Sequence, residues 1–135
     1  MTTLFVNACM RGEASRTLAL CREYLEGVED VVEVDLAELG LKPFDAAMVA
    51  YRSEKQQAGE WDDPIFTLSR QFAEADDIVV GAPYWDLSFP AALKVYMEHV
   101  SVCDIAFHYT EDAQCEGICK ANRLTYLTTC GGFVE

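Results

Sequence analysis

Two periods of apolar and polar residues alternate along the chain. "TLFVNA" (Thr3–Ala8) is a short apolar run of β-forming residues, and "CMRGEAS" breaks it with Gly12 and polar side chains. Ser15 is a good helix cap. Leu18, Cys21, Leu25 and Val28 follow at i, i+3, i+7 and i+10, which predicts a helix with one buried stripe. "DVVEVDL" (Asp30–Leu36) alternates as a second strand, and residues 39–58 fit a helix, a loop or both. Asp63-Pro64 starts a helix with Asp as cap and Pro at the first position, and Ile65, Leu68 and Phe72 give it an apolar face. "DDIVVGAP" (Asp76–Pro83) is a continuous apolar run, the pattern of a strand covered on both faces. Ser88 to Pro90 opens a further helix, with Leu93, Tyr96, Met97 and Val100 predicted on one side. "IAFHYTEDAQCEGICK" reads as a hairpin insertion, and "RLTYLTT" (Arg123–Thr129) as a fourth strand running into Cys130-Gly131-Gly132.

The order β-α-β-α-β-α-(hairpin)-β, without internal repeats, predicts an α/β fold with a parallel sheet and helices on both faces. Ligands of such sheets bind beyond the C-terminal strand ends. Three loops with unusual chemistry leave those ends: residues 9–17, 83–89 and 129–132.

Composition narrows the classes. With 135 residues, 51% of them hydrophobic, the chain supports one domain with a sizeable core. No apolar run approaches the ~18 residues that span a bilayer, so no membrane insertion is expected. The N-terminus lacks a basic stretch followed by a long apolar one, so the expected location is cytoplasmic. The six Cys are then expected as reduced thiols. A net charge of −13 argues against nucleic acid and anionic membranes as partners, because both need a basic face.

Each loop has a plain reading beside a functional one. In the first, Cys9, Arg11, Gly12, Ser15, Arg16 and Thr17 precede a helix, whose N-terminus offers free N–H groups and a positive dipole end to an anion. The spacing is neither a Walker loop nor GxGxxG, and an ordinary capped helix would also explain it. In the second, Pro83 cannot donate to a ladder, and Tyr84, Trp85 and Leu87 offer flat apolar surface. Rings folded back into the core are the plain alternative. In the third, "TTCGG" lets backbone approach a ligand closely, or simply turns. Together the loops describe an anion hole, an aromatic wall and a Gly-lined floor, which suits a phosphate joined to a flat ring system such as FMN.

At these residues the sequence resembles the flavodoxin-like FMN-dependent NAD(P)H oxidoreductases, the azoreductase and quinone reductase group. The likeness covers nearly the whole chain. "APYWDLSFPAALKVYMEHV" is similar to the family's ring-binding segment, an Ala-Pro-Met-Tyr-Asn-Phe-type motif before a Leu-Lys helix. "IAFHYTED" and "EGICKANRLTYLTTCGGF" are similar to its Phe-x-Tyr-Thr-Glu hairpin and its strand ending in Gly-Gly. The resemblance implies that Cys9 stands where a phosphate-loop Ser is common, and that Ser15, Arg16 and Thr17 bind the FMN phosphate. It implies that Pro83, Tyr84, Trp85, Asp86 and Leu87 line the isoalloxazine, and that Thr129, Cys130, Gly131 and Gly132 touch its other side. No catalytic side chain is implied, since the flavin carries the redox step. NADH or NADPH is the implied electron donor, a quinone or azo compound the acceptor, and a homodimer the assembly. Asp86 replaces a commonly neutral Asn, and its carboxylate is expected to lower the flavin potential.

The sequence departs from that pattern at its end. Relatives continue past the fourth strand through a helix, a fifth strand and a last helix. Exposed apolar surface and an open edge at that strand are therefore expected. A truncated, non-catalytic flavodoxin-like module is the alternative this raises. Two smaller rivals are a zinc site from Cys103, His108, Cys115 and Cys119, which lack paired CxxC spacing, and a Cys9 nucleophile. For the latter, a phosphatase-type Cys-x5-Arg loop would need Arg before Ser15, where Ala14 stands. His99 is expected to face solvent or a neighbouring chain, and no metal is expected.

Overall fold

A computed structural model describes residues 1–130. Its sheet holds four parallel strands in the order β2-β1-β3-β6, formed by β1 (Thr3–Asn7), β2 (Val31–Asp35), β3 (Asp77–Gly81) and β6 (Leu124–Leu127). β1 and β3 are the inner strands, and every residue of both is buried. That is why both read as apolar runs without a polar face.

Strand alternation divides the core into two layers. Leu4, Val6, Ile78 and Val80 face one way, and pack with Leu36, Leu93, Tyr96 and Val100. Three helices cover this side: α2 (Leu36–Leu39), α4 (Thr67–Glu74) and α5 (Ala91–Val100). Phe5 and Val79 face the other way, against Leu18 and Cys21 of α1 (Arg16–Tyr24). The predicted helices on both faces are therefore present. The undecided stretch 39–58 resolves into a loop and then α3 (Ala46–Gln57), capped by the Asp45 side chain on Met48 N–H. α3 has no buried residue and is fastened through Arg52 to the Glu98 carbonyl at 2.9 Å and Gln56 to the Cys103 carbonyl at 3.0 Å. The predicted hairpin is β4 (Phe107–Tyr109) antiparallel to β5 (Cys115–Gly117).

Three expectations need correction. α1 stops at Tyr24, so Val28 is not on its buried stripe and is exposed. Gly27, with φ +79, turns the chain before Val28 can continue the helical face. Met97 is exposed while Leu93, Tyr96 and Val100 are buried, because α5 turns the i, i+3, i+7 row onto the sheet and Met97 lies off it. His99 does not face solvent. It is 8% exposed, with Nε2 3.0 Å from the Lys42 carbonyl oxygen and its ring 4.6 Å from that of Phe44.

At the other end of the sheet order, β6 pairs only with β3 among the described residues. The Asp77–Arg123 ion pair at 2.6 Å and the Asp76–Lys120 pair at 2.7 Å tie its entry to β3. Leu124 and Tyr126 stand on the α4/α5 side of this strand and are 54% and 44% exposed. Among the described residues, β6 therefore presents an open edge and exposed apolar side chains.

Candidate functional site

β1, β3 and β6 run parallel, so the segments leaving their C-terminal ends emerge together. After β1 the chain turns at Gly12, whose φ of +60 favours glycine, and forms a short 3-10 turn over Gly12–Ala14. Ser15 then caps α1. Its Oγ accepts from Leu18 N–H at 3.1 Å, and its carbonyl accepts from Ala19 N–H at 3.3 Å. The first helical N–H groups, those of Arg16 and Thr17, precede any intrahelical acceptor and point out of the helix end.

After β3, Ala82 N–H donates to the Leu127 carbonyl at 3.0 Å, and Tyr84 N–H to the Thr129 carbonyl at 3.1 Å. Pro83 lies between these donors, at the one position where the ladder needs none. Thr129 Oγ1 in turn lies 2.7 Å from Thr17 Oγ1. One chain of contacts, Thr17 to Thr129 to Tyr84, thus joins all three loops. Sequence spacing gave no sign of this link, because the residues are far apart along the chain and only the parallel register aligns them.

The three loops enclose a cleft of about 260 Å³ lined by Arg11, Ser15, Arg16, Thr17, Pro83, Tyr84, Trp85 and Thr129. One wall is cationic and hydroxylic, and the other aromatic. Tyr84 and Trp85 are 45% and 39% exposed, so their rings are not folded into the core. Arg11, which stood among the loop's charges without being named a binding residue, lines the cleft beside Arg16.

Other expected residues lie elsewhere. Asp86 and Leu87 form the tip of a tight turn closed by Trp85 N–H to the Ser88 carbonyl at 3.0 Å and the return bond at 2.8 Å. They are exposed next to the cleft and do not line it. Both have left-handed backbones, with φ of 50 at Asp86 and 63 at Leu87. This is the form of a two-residue primed turn, which favours Asn or Asp followed by Gly. Asp86 fits that preference and Leu87 does not. Cys9 is 2% exposed and packs with Phe5, Leu18, Cys21 and Val79 rather than lining the cleft. Cys130 is partly buried at the end of the described chain. Gly131 and Gly132 lie outside the described residues.

The rivals find little support in this geometry. Among the described residues, no three His, Cys, Asp or Glu side chains gather where a metal ion could sit. Ser15 and Arg16 follow Cys9 in the wrong order for a phosphate-ester loop, and the buried sulfur faces α1 rather than the cleft.

A parallel sheet ordered 2-1-3 with a fourth strand beyond, carrying a helix end and an aromatic turn at its C-terminal edge, defines a flavodoxin-type fold. The chain belongs to the flavodoxin-like fold family, whose model matches residues 1–135. It is similar to an FMN-dependent NADH:quinone oxidoreductase of Clostridium acetobutylicum, at 31% identity over 96% of this chain and 67% of the relative. An FMN-dependent NADH:quinone oxidoreductase of Coprothermobacter proteolyticus is 29% identical over 89% of this chain and 62% of its own length. The crystal structure of the azoreductase AzrA superposes with a TM-score of 0.78 at 27% identity, covering 98% of this chain and 70% of that one. The chain thus spans about two thirds of the length of the proteins it matches.

Proposed function

We infer that this chain is a flavin oxidoreductase domain that holds FMN in the cleft between α1 and the Tyr84–Ser88 turn. NADH or NADPH is the donor, and a quinone or azo compound the acceptor. Residues 1–135 act as one domain in this reading. The observation that carries it is the Thr17–Thr129–Tyr84 chain of contacts, which makes an anion site and an aromatic surface into one cleft. The names of the relatives support the same chemistry for the family.

The donor set fits the cofactor. A phosphate needs several directional donors and positive charge. The N–H groups of Arg16 and Thr17, the Ser15 and Thr17 hydroxyls and the Arg11 and Arg16 side chains meet both needs. A flat ring system needs exposed apolar faces near backbone polar groups, and Tyr84 and Trp85 meet that need. Bound FMN supplies hydride and electron transfer. The chain's own part is to bind, orient and tune. The Ser15 cap and the start of α1 would hold the phosphate, the Tyr84 N–H bond to Thr129 fixes the aromatic segment, and Trp85 would shield the ring from water. Asp86, in the turn next to the cleft, would set a carboxylate near bound FMN and oppose the build-up of negative charge there.

The reading extends to a homodimer, which would cover apolar surface such as Met97, Val49 and Tyr51, and to a cytoplasmic location. No described helix is long and apolar enough to cross a membrane. The net charge of −13 supports small-molecule rather than nucleic-acid partners.

The test is reconstitution of the full chain with FMN, followed by anaerobic addition of NADH and then a quinone. The expected result is a yellow protein, bleached by NADH and restored by the quinone. A protein that stays colourless would overturn the oxidoreductase reading and favour a non-catalytic flavodoxin-like module. A yellow protein that NADH does not bleach would leave FMN binding standing and overturn the donor assignment.

A further inference from the structure

Two sulfurs sit behind the anion wall, and nothing in the cofactor reading uses them. Cys9 follows β1 and is 2% exposed, and Cys21 on α1 is fully buried. Gly81 at the end of β3 leaves the room they fill. A Cβ at Gly81 would lie 2.4 Å from Cys21 Sγ and 3.6 Å from Cys9 Sγ, so both sulfurs share one small space. The first contact is closer than real side chains tolerate, so a larger residue at this position would force Cys21 to shift. Both sulfurs pack in one buried cluster with Phe5, Leu18 and Val79. The neighbouring Cys21 and Ser15 side chains and the Arg22 guanidinium lower the Cys9 thiol from its ordinary value against the opposing effect of burial. The same pairing, reinforced by burial, pushes the Cys21 thiol up. The two thiols are thus inequivalent, and Cys9 is the one that ionises more readily and meets an oxidant first.

We propose that Cys9 and Cys21 form a modification site, a dithiol that hydrogen peroxide converts to an intramolecular disulfide, and that this bond weakens the anion half of the cleft. The Cys9 thiolate attacks one peroxide oxygen and the O–O bond breaks. Cys9 becomes a sulfenic acid, and the leaving hydroxide takes a proton to give water. Cys21 sulfur then attacks the Cys9 sulfur, the S–O bond breaks, and the second oxygen leaves as water with the Cys21 proton. Two thiols and one peroxide yield one disulfide and two waters, with two electrons passing from sulfur to oxygen. Burial of both sulfurs restricts the reaction to a small neutral oxidant. In the product, α1 is tied through Cys21 to the loop after β1. The closed loop Cys9–Cys21 contains Ser15, the residue that caps the helix at the cleft. The disulfide stands on the thiol geometry alone, and its effect on binding rests on the FMN reading.

The test treats the full reduced chain with hydrogen peroxide, blocks remaining thiols with N-ethylmaleimide, and maps peptides without reductant. The expected product has two thiols fewer, a Cys9–Cys21 linked peptide, and full recovery with a phosphine reductant. Cys21→Ser is expected to give unlinked, oxygenated Cys9, and Cys9→Ser to give neither product at residue 21. Linkage through Cys103, Cys115, Cys119 or Cys130 instead, or oxygenated Cys9 without any linked peptide in the wild-type chain, would overturn the proposal. FMN titration by flavin fluorescence is the second readout, with about tenfold weaker binding expected after oxidation. The Cys9→Ser/Cys21→Ser double variant is expected to be indifferent to peroxide in the same titration. A mapped disulfide with unchanged FMN affinity would overturn the coupling. A reduced chain that takes no FMN would overturn the cofactor reading and leave the peptide map to decide the disulfide.

Discussion

The two walls of the cleft are built in opposite ways. The anion wall is anchored, with Ser15 and Thr17 at 7% and 1% exposure, hydroxyls engaged, and the first turn of α1 behind them. The aromatic wall is a protruding turn, with Leu87 at its tip 85% exposed on a left-handed backbone. A buried, hydrogen-bonded wall is set before a ligand arrives and contributes affinity at small entropic cost. An exposed, strained turn can shift, and suits a wall that must admit two different substrates in turn. Cofactor retention therefore belongs to the first wall and reactivity to the second in the proposed enzyme.

The largest expected effect comes from breaking the anchored wall. Ser15→Ala removes the cap on Leu18 N–H and a hydroxyl in the cleft. It should lower stability by about 1 kcal/mol and weaken FMN binding by about tenfold or more. Urea unfolding and flavin fluorescence titration measure the two effects. Loss of stability with unchanged affinity would reduce Ser15 to a structural cap.

Next comes relief of strain in the protruding wall. Leu87→Gly should stabilise the protein by roughly 1 kcal/mol, because a left-handed L-residue costs about that much. FMN affinity should change far less than in Ser15→Ala. A fall in the urea midpoint would mean that the exposed leucine makes contacts that outweigh its strain.

Charge at the anchored wall is worth less than the hydroxyls. Arg11→Gln and Arg16→Gln should each weaken FMN binding about threefold at low salt, on the scale of exposed charges near a helix end. The difference from wild type should shrink as salt rises. An effect that is independent of salt would point to a bidentate contact instead of a field.

The smallest effect is expected at the turn. Asp86→Asn should raise the flavin midpoint potential by about 10–20 mV, the size expected for one solvent-screened charge near the ring. Spectroelectrochemical titration reads it. An unchanged or lower potential would remove Asp86 from the tuning of the cofactor.

The walls were unequally legible from sequence. Strand-loop-helix alternation gave the parallel sheet, because inner strands β1 and β3 must be apolar on both faces. Ser15 announced the anchored wall, since a cap before an apolar stripe is a local signal. The aromatic pair was visible, but its exposure was not, because a ring at a strand end can turn either way. Val28 and Met97 were misread where a period was extended past the element or across its full width. His99 was misread because the carbonyl that holds it belongs to Lys42, in a stretch with no period of its own. The meeting of Thr17 with Thr129 is a product of strand register, which no local pattern encodes. The pairing of Cys9 with Cys21 is likewise set by the missing side chain of Gly81.

The central claim is that one cleft holds a phosphate at its anchored wall and a flat ring at its exposed wall. Parallel calorimetric titrations of the reduced full chain with FMN and with riboflavin test it most directly, since the two differ only by the phosphate. Saturable binding of one FMN per chain is expected, with riboflavin binding weaker by about a hundredfold, as loss of several charge-assisted hydrogen bonds requires. Equal affinities, or no uptake of FMN, would contradict it.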